Sequence, residues 1–371
     1  MEGGGGTGRF SVFQFIESRV TQAQFKVACI KPGKIRGLMH DSSKKSVLVT
    51  GGAGYIGSHA AKALAARGYV PVTYDNLVYG HRWAVQSGPF VEGDIGDRDL
   101  LMETIGRYNI SAVMHFAAFA YVGESVKKPE KYFNNNVTKS LTLLDAVLES
   151  GVRHVVFSSS CATYGTPDRI PIGEDMPQRP VNPYGETKLI MERALHWYAG
   201  AHDLTCAALR YFNAAGADLD GKLGEMHAPE THLIPLVFQA IDGGRPLEVY
   251  GGDYPTPDGT CVRDYIHVAD LADAHVKALD YLVGGGASIA MNLGTGQGHS
   301  VKEVISVAED VTGREAPHSF VARREGDPAI LVADPSLAGK VLDWHPQYSD
   351  LDCIIRSAWK WYSEYSKQLP V

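Results

Sequence analysis

Tyr184 and Lys188 combine side chains and a spacing that would suit proton transfer. They occupy positions i and i+4 directly after Asn182-Pro183, where a helix is expected to begin, so both side chains would lie on one face. A tyrosine with an ordinary pKa of about 10 is a poor base at neutral pH. A lysine ammonium one turn away, together with a second positive charge nearby, would lower that pKa, as a general base requires. The spacing alone arises about once by chance in a chain of this length, so a partly buried tyrosine and a solvated lysine are the alternative.

Three hydroxyl side chains end the apolar run that precedes this pair. The run 155–157 has the pattern of a buried strand, and Ser158, Ser159 and Ser160 follow at its carboxyl end. A serine there can hydrogen-bond a substrate hydroxyl and relay its proton to Tyr184. We assign that role to Ser160, while Ser158 and Ser159 would cap the strand.

Gly51, Gly54 and Gly57 follow the apolar run 47–50 and lead into an alanine-rich helix. Gly51 would allow a tight turn, Gly54 would let the backbone approach a pyrophosphate, and Gly57 would let helix and strand pack closely. The free N–H groups at the helix N-terminus would then face the phosphates. The pattern predicts a dinucleotide site, with a purely structural turn as the alternative.

A second strand, 70–75, ends in Asp75, which lies 18 residues after Gly57. That is close to the separation expected for a carboxylate that binds the ribose of a dinucleotide. A carboxylate accepts hydrogen bonds from a 2′-hydroxyl and repels a 2′-phosphate, so NAD is favoured over NADP.

Alternating strands and helices are expected to position these residues. Apolar runs at 46–50, 70–74, 89–91, 112–117, 153–158 and 204–210 predict strands, and helices are expected at 58–67, 97–107, 131–150 and 184–201. The alternation predicts an α/β fold, a doubly wound parallel sheet with helices on both faces. Loops at 216–230 and 249–264 predict a smaller substrate-binding lobe. We expect a dinucleotide-binding domain over 45–213 and this lobe over 214–371, with segments that return to the first domain.

Composition and charge argue against several classes of protein. The 371 residues are 44% hydrophobic and 21% charged, and a net charge of −7 argues against a nucleic-acid surface. No apolar run reaches the roughly 18–20 residues of a membrane span. The five cysteines show no C-x-x-C spacing, which predicts free thiols, a cytoplasmic location and no metal site. Residues 1–44 predict a disordered extension or a segment before a start at Met39. A targeting peptide is the alternative, against which Glu2 and Glu17 count.

Longer motifs accompany the glycine turn, the serine run before Tyr164-Gly165 and the tyrosine–lysine pair. They are Tyr74-Asp75-Asn76-Leu77, Gly93-Asp94-Ile95, His115-Phe116-Ala117-Ala118, Leu209-Arg210-Tyr211-Phe212-Asn213, the run 251–268, Asn292-Leu293-Gly294-Thr295-Gly296 and Arg323-Arg324-Glu325-Gly326-Asp327. With these motifs, residues 45–365 resemble the extended short-chain dehydrogenase/reductase family. Within that family the chain is similar to the UDP-glucose (UDP-galactose) 4-epimerases and their UDP-pentose relatives.

The resemblance implies a Rossmann fold, bound NAD, a UDP-sugar substrate and a homodimer joined through helices near 131–150 and 184–201. It implies inversion at C4 of the sugar through a transient 4-keto intermediate, with Tyr184, Lys188 and Ser160 as the catalytic residues. Residues implied at the cofactor are Gly51, Gly54, Tyr55, Ile56, Gly57, Asp75, Asn76, Asp94, Ile95, Phe116, Ala117, Ala118, Asn136, Ser158, Tyr184, Lys188 and Tyr211. Residues implied at the substrate are Ser160, Tyr184, Asn213, Leu233, Tyr250, Arg263, Arg324 and Asp327.

Two departures from the family pattern leave details open. The run Ala118-Phe119-Ala120 lacks the lysine that many members place near the cofactor ribose. The position that sizes the sugar pocket is Leu331, intermediate between a bulky and a small residue, so activity on N-acetylated sugars is left open.

Other enzymes of the family are alternatives to an epimerase. UDP-xylose/UDP-arabinose epimerisation, a net dehydrogenase and a non-catalytic NAD-binding scaffold stay open. A nucleotide-sugar dehydratase is disfavoured, because Cys161 and Ala162 stand where it needs acidic residues.

Overall fold

The structure is a computed structural model that describes residues 45–324 and 327–365. The expectations for residues 1–44 lie outside that range. Its strands are β1 (Ser46–Thr50), β2 (Val70–Asp75), β3 (Phe90–Glu92), β4 (Ile110–His115), β5 (His154–Ser160), β6 (Thr205–Tyr211), β7 (Asn213–Ala215), β8 (Leu247–Tyr250), β9 (Val262–Arg263), β10 (Tyr265–His267), β11 (Ile289–Leu293), β12 (His299–Ser300), β13 (His318–Val321) and β14 (Ile330–Leu331).

Helices connect these strands throughout the described residues. They are α1 (Tyr55–Ala66), α2 (Arg98–Arg107), α3 (Val122–Lys127), α4 (Pro129–Phe133), α5 (Lys139–Glu149), α6 (Pro183–Ala201), α7 (Leu233–Ile241), α8 (Val268–Val283), α9 (Val301–Thr312), α10 (Ser336–Leu342) and α11 (Leu351–Lys360). Short 3₁₀ turns cover Arg82–Ala84 and Cys161–Thr163, and π-helical turns cover Asn134–Thr138 and Trp361–Tyr365. No helix in the described ranges is long and apolar enough to cross a membrane.

The main sheet has seven strands in the order β11-β6-β5-β4-β1-β2-β3, and all of its neighbouring pairs are parallel. Strand β1 lies between β2 and β4, with Thr50 opposite Tyr74 on one side and His115 on the other. The strand order reverses at β1, and the carboxyl ends of the strands on either side of such a point form a ligand crevice. The predicted α/β fold with a doubly wound parallel sheet is confirmed.

Helices cover both faces of this sheet because successive side chains of a buried strand point to opposite faces. Val47 and Val49 of β1 belong to one apolar cluster with Leu64 of α1 and Leu279 of α8. Leu48 points the other way, into a cluster that includes residues of α2, α5 and α6. A parallel sheet buried on both faces explains why β1 is apolar throughout.

Within the described residues, the chain beyond β6 forms three small sheets, β10-β7, β12-β9-β14 and β13-β8, and contributes one more strand, β11, to the main sheet. A third apolar cluster joins α7, α9 and α11, beside the parallel pair β8 and β13. Strand β11 extends the main sheet by pairing with β6, where Leu293 lies opposite Tyr211.

Most predicted elements differ from the structure by one to three residues at an end, and two show differences that bear on the site. The predicted helix 131–150 is α4, a π-helical turn and α5 in succession. The predicted strand 112–117 is β4, which begins at Ile110 and ends at His115. Ala117 then passes close to Gly51, because a Cβ on Gly51 would lie 2.5 Å from the Ala117 nitrogen.

Candidate active site at the carboxyl edge of the sheet

The glycine turn between β1 and α1 has the geometry that the sequence predicts. Gly51 has a φ of +71°, in the left-handed region that glycine favours. A Cβ on Gly57 would lie 2.2 Å from the Gly51 carbonyl oxygen, so only glycine lets α1 pack this closely on the turn. Gly54 is different, because a Cβ there would meet only the Gly51 oxygen, at 3.3 Å. Its lack of a side chain therefore keeps space clear in front of the helix.

The N-terminus of α1 is suited to bind an anion. Its N-cap is Gly54, no side chain caps it, and its first turn contains no acidic residue. The first N–H groups of a helix have no intrahelical partner, and they favour a phosphate at this end of the helix dipole. The turn and the uncapped helix thus fit the pyrophosphate of a dinucleotide.

Asp75 stands at the end of β2 beside this turn. One carboxylate oxygen accepts from the Ala53 N–H at 3.0 Å and the other from the Leu77 N–H at 2.8 Å. Burial raises the pKa of Asp75, and these hydrogen bonds oppose the rise. Each oxygen keeps a lone pair, so the carboxylate is oriented yet can still accept from ribose hydroxyls.

Asp94 and Asn76, implied at the adenosine half of the cofactor, contact each other. The Asn76 side chain donates to Asp94 at 3.0 Å, and the Lys139 ammonium binds the same carboxylate at 2.6 Å. Although partial burial acts against it, Lys139 holds the pKa of Asp94 below its usual range. Ile95 is buried beside them, where its side chain can border an adenine.

The segment after β4 is held by Asn136. Asn136 accepts from the Phe119 N–H at 2.8 Å and donates to the Phe119 carbonyl at 2.9 Å. Its second amide hydrogen goes to Thr187 at 3.2 Å. Both amide hydrogens are therefore used inside the protein, and we expect Asn136 to hold this segment near the cofactor without binding the cofactor directly. Phe116 packs on His275, with ring centroids 4.8 Å apart.

Tyr184 lies in the first turn of α6. The Asn182 side chain caps this helix by accepting from the Gly185 N–H at 2.9 Å, and Pro183 occupies its first position. Ser160 ends β5, and its hydroxyl accepts from the Ala162 N–H at 3.1 Å. Ser160 and Tyr184 meet: burial raises the pKa of Tyr184 to about 12, and the Ser160 side chain opposes that rise by hydrogen bonding.

Lys188 lies one turn further along α6 and is buried. Its ammonium donates to the Ser158 carbonyl at 2.6 Å and lies 5.8 Å from the centre of the Tyr184 ring. Burial lowers the pKa of Lys188 to about 7. The lowered pKa expected for Tyr184 is not found in the protein alone, because desolvation of the phenolate outweighs its neighbours. Activation of this tyrosine would need a further positive charge, which an oxidised nicotinamide ring supplies when bound.

Sequence reasoning missed a buried network behind the serines. Glu192 forms an ion pair with Arg210, with an Oε2–Nη2 distance of 2.6 Å and both side chains 7% exposed. The Ser159 hydroxyl also donates to Glu192, and Arg210 donates to the Tyr164 hydroxyl at 2.9 Å. Glu192 follows Lys188 by four residues, so the α6 face that bears Tyr184 and Lys188 continues to it. That spacing is the signal that could have identified it.

The hydroxyls of Ser158 and Tyr211 are hydrogen-bonded to each other. Burial raises the pKa of Tyr211, so this phenol stays protonated. Tyr211 also packs edge-on against His275, with centroids 5.9 Å apart. Tyr211 and Ser158, both implied at the cofactor, thus form one buried unit at the ends of two neighbouring strands.

The residues implied at the substrate lie on loops and short strands. Arg263 forms an ion pair with Asp327, and its Nη1 donates to the Val262 carbonyl at 2.8 Å. Arg324 is exposed and stacks on the Tyr250 ring, 3.9 Å from its centre. Arg324 and Asp327 also line a cleft of about 560 Å³. Leu233 begins α7 and Asn213 begins β7.

These features together are typical of dinucleotide-dependent enzymes that transfer a hydride and a proton at one carbon. A model of the "NAD dependent epimerase/dehydratase family" matches residues 47–294, and the chain belongs to that family.

Three known proteins that resemble this chain are all described as UDP-glucose 4-epimerases. A curated UDP-glucose 4-epimerase from Rhizobium leguminosarum bv. trifolii is 54% identical over 86% of this chain and 98% of its own length. The crystal structure of UDP-glucose 4-epimerase from Brucella ovis in complex with NAD has 57% identity and a TM-score of 0.84, covering 85% of this chain and 98% of that one. That of Stenotrophomonas maltophila, with bound NAD and formylated UDP-arabinopyranose, has 43% identity and a TM-score of 0.85, covering 88% of this chain and 100% of that one.

Proposed function

We propose that this chain interconverts UDP-glucose and UDP-galactose by inverting C4 through a transient 4-keto sugar, with NAD as bound cofactor. The observation that carries the proposal is the pair Tyr184 and Lys188 on α6 at the carboxyl end of β5. The Lys188 ammonium lies 5.8 Å from the centre of the Tyr184 ring and donates to the Ser158 carbonyl, two residues before Ser160. Three curated relatives support the proposal, because they are UDP-glucose 4-epimerases that are 49–54% identical to this chain over 86% of its length.

The residues of the glycine turn, Asp75 and Asp94 would hold the cofactor. When bound, oxidised NAD supplies a reversible hydride acceptor at the sugar carbon. Tyr184 takes the proton of the sugar 4-hydroxyl, with Ser160 as the relay, and returns it when the alcohol re-forms. The Lys188 ammonium stabilises the phenolate during the time that Tyr184 lacks its proton.

The arginines explain how the sugar could turn without leaving. Arg263 and Arg324 would bind the diphosphate, because a guanidinium pairs with two phosphate oxygens at once. Asp327 would release Arg263 and accept from the uridine ribose, while Leu233 and Tyr250 would border the uracil. Binding energy is then spent on the nucleotide, and the sugar stays free to present its opposite face.

The chemistry beside Ser160 does not favour a dehydratase. Burial raises the pKa of the Cys161 thiol to about 12, so it stays neutral at physiological pH. Ala162 has no titratable group. Elimination of water across C5–C6 would need an acid and a base at these two positions, and neither side chain can serve.

A homodimer and a cytoplasmic location belong to the same proposal. Trp197 on α6 is 73% exposed, and a second copy of the chain packed on α5 and α6 would bury it. The four cysteines in the described ranges are all free thiols, as is usual in a reducing compartment. Light scattering of the wild type and of Trp197→Glu tests the dimer: we expect about twice the chain mass for the wild type and the monomer mass for the variant.

The function is tested by incubating the protein with UDP-galactose and, separately, with UDP-arabinopyranose. The nucleotide sugars are resolved by chromatography, and reduced nicotinamide is followed by its absorbance. We expect the 4-epimer of UDP-galactose to form without net reduction of the cofactor. Preferred turnover of UDP-arabinopyranose would reassign the substrate to pentoses. Accumulation of reduced cofactor would make the enzyme a dehydrogenase, and bound NAD with neither sugar converted would favour a scaffold.

A further inference from the structure

Four side chains of a type that binds metal ions converge just before α7, and the proposed reaction uses none of them. Glu225, His227, Glu230 and His232 each place one ligand atom within 4.8 Å of the others. Glu225, His227 and Glu230 are largely buried, whereas the His232 side chain is 48% exposed. The cluster is thus enclosed on most sides and reachable from solvent on one.

Three of the four imidazole–carboxylate distances in the cluster are longer than hydrogen bonds, and the fourth is a direct hydrogen bond between His232 and Glu225. His227 Nδ1 lies 3.4 Å from a Glu225 oxygen and 3.6 Å from a Glu230 oxygen, and His232 Nδ1 lies 3.8 Å from Glu230. Protein N–H···O hydrogen bonds are typically about 2.7–3.2 Å long. Zinc binds nitrogen and oxygen at about 2.0–2.2 Å, so a tetrahedral shell separates its ligand atoms by about 3.3–3.6 Å.

His227 provides a second, independent indication. Its Nδ1 is buried and has no hydrogen-bond partner, although two carboxylates face it. A buried polar atom without a partner is costly, and such atoms in native proteins call for an explanation. A proton on Nδ1, or a cation between the nitrogen and the carboxylates, would satisfy it. Although burial acts against it, Glu225 and Glu230 raise the pKa of His227 to about 10, so a bound cation would displace the proton of an ion pair. The remaining contact, between His232 Nδ1 and Glu225, is a direct hydrogen bond, and cation binding would have to open it.

The donor set also indicates which cation would bind. Two imidazoles and two carboxylates favour zinc and similar first-row ions, whereas magnesium and calcium prefer an all-oxygen shell. Two carboxylates neutralise one divalent ion when both histidines are neutral. Four protein ligands close a tetrahedral shell, which is typical of structural zinc sites and leaves no position for a substrate.

The backbone around the cluster is fixed by distant elements. The Glu225 carbonyl accepts from the Trp361 indole at 3.1 Å, and the Met226 carbonyl lies 3.0 Å from His81 Nε2. Leu233, the residue implied at the uridine, follows His232 directly. We propose that Glu225, His227, Glu230 and His232 bind one divalent ion of the zinc class, which stabilises this loop. The expectation of no metal site rests on cysteine spacing, whereas this cluster has the pattern Glu-x-His-x-x-Glu-x-His.

The test uses the full chain with its cofactor, purified without a histidine tag and treated with a chelator. Zinc binding is measured by equilibrium dialysis with elemental analysis and by competition with a chromogenic chelator, and Tm is measured with zinc or magnesium. We expect one zinc per chain and a Tm that rises with zinc and not with magnesium. His227→Ala and the milder Glu230→Gln should weaken zinc binding at least tenfold. The control His318→Ala, which alters a histidine outside the cluster, should bind zinc like the wild type.

Three results would overturn the proposal. One is a wild type that binds clearly less than one zinc per chain at zinc concentrations high enough to saturate the competing chelator. Another is equal zinc affinity in the wild type and in both cluster variants, which would place the ion elsewhere. The third is an equal Tm shift with magnesium and zinc, which would indicate general charge screening. If His227→Ala does not fold, Glu230→Gln alone decides between these outcomes.

Discussion

Removing the charge of Lys188 should shift the pH dependence of turnover by an amount that the structure predicts. The Lys188 ammonium lies 5.8 Å from the centre of the Tyr184 ring. With the ring centre taken as the position of the phenolate charge and an effective dielectric constant of about 20, the ammonium stabilises the phenolate by about 3 kcal/mol, or about 2 pKa units. Lys188→Met should therefore raise the apparent pKa of Tyr184 by about 2 units and lower kcat at pH 7 roughly 100-fold.

The assay is the pH dependence of kcat for UDP-galactose between pH 5 and 10, with the NAD content of each preparation measured after denaturation. Burial alone lowers the pKa of Lys188 to about 7, but a phenolate at Tyr184 favours the ammonium by the same free energy with which the ammonium favours the phenolate. The pair therefore acts as a phenolate with an ammonium, and kcat should rise with pH as this form appears and then reach a plateau. For Lys188→Met the rise should come at higher pH, so that the deficit narrows as the pH increases. Lys188→Arg keeps a positive charge and serves as the matched control, with a midpoint close to that of the wild type.

One result would refute this reasoning. If Lys188→Met lowers kcat by the same factor at every pH, its charge does not act on Tyr184. Its role would then be to position the cofactor or the Ser158 carbonyl, to which it donates at 2.6 Å.

Three further predictions concern the scaffold. Gly57→Ala would place a Cβ 2.2 Å from a carbonyl oxygen, so it should lose about 1–3 kcal/mol in urea unfolding and most of its bound NAD, whereas Gly54→Ala should fold normally and bind NAD more weakly. Glu192→Gln leaves the buried Arg210 charge without its partner and should lower the free energy of unfolding by about 3–5 kcal/mol, which chemical denaturation measures. Burial lowers the pKa of His275 to about 4, so below pH 6.5 the unfolded chain binds a proton that the folded one does not. His275 alone should therefore lower the free energy of unfolding by up to about 3 kcal/mol between pH 6.5 and 4. The buried His59, His115 and His267, whose pKa values are also lowered, add to this slope, and His275→Gln should remove only the His275 part of it.

The parts of the site that were predictable from the sequence depend on local backbone geometry. The turn at Gly51, the start of α6 after Asn182-Pro183 and the apolar strand β1 each follow from a few consecutive residues. Short-range sterics and capping determine such features, so a single sequence is enough to predict them.

The parts that were not predictable depend on which distant residues the fold brings together. Arg210 and Glu192 are 18 residues apart, and only the packing of α6 against β6 makes them an ion pair. The pKa of Tyr184 rises because the site is desolvated, and a sequence gives no measure of burial at one atom. The cluster around His227 combines spacing in the chain with a loop conformation that the sequence pattern does not reveal.

The central claim is that C4 is oxidised and reduced again by a hydride that stays within the enzyme. UDP-galactose carrying deuterium at C4 tests it directly in ordinary water, with Tyr184→Phe as the inactive control. We predict that the UDP-glucose formed retains deuterium at C4 while the net amount of reduced cofactor stays constant. Loss of the label to solvent, or its accumulation in free reduced cofactor, would contradict the account.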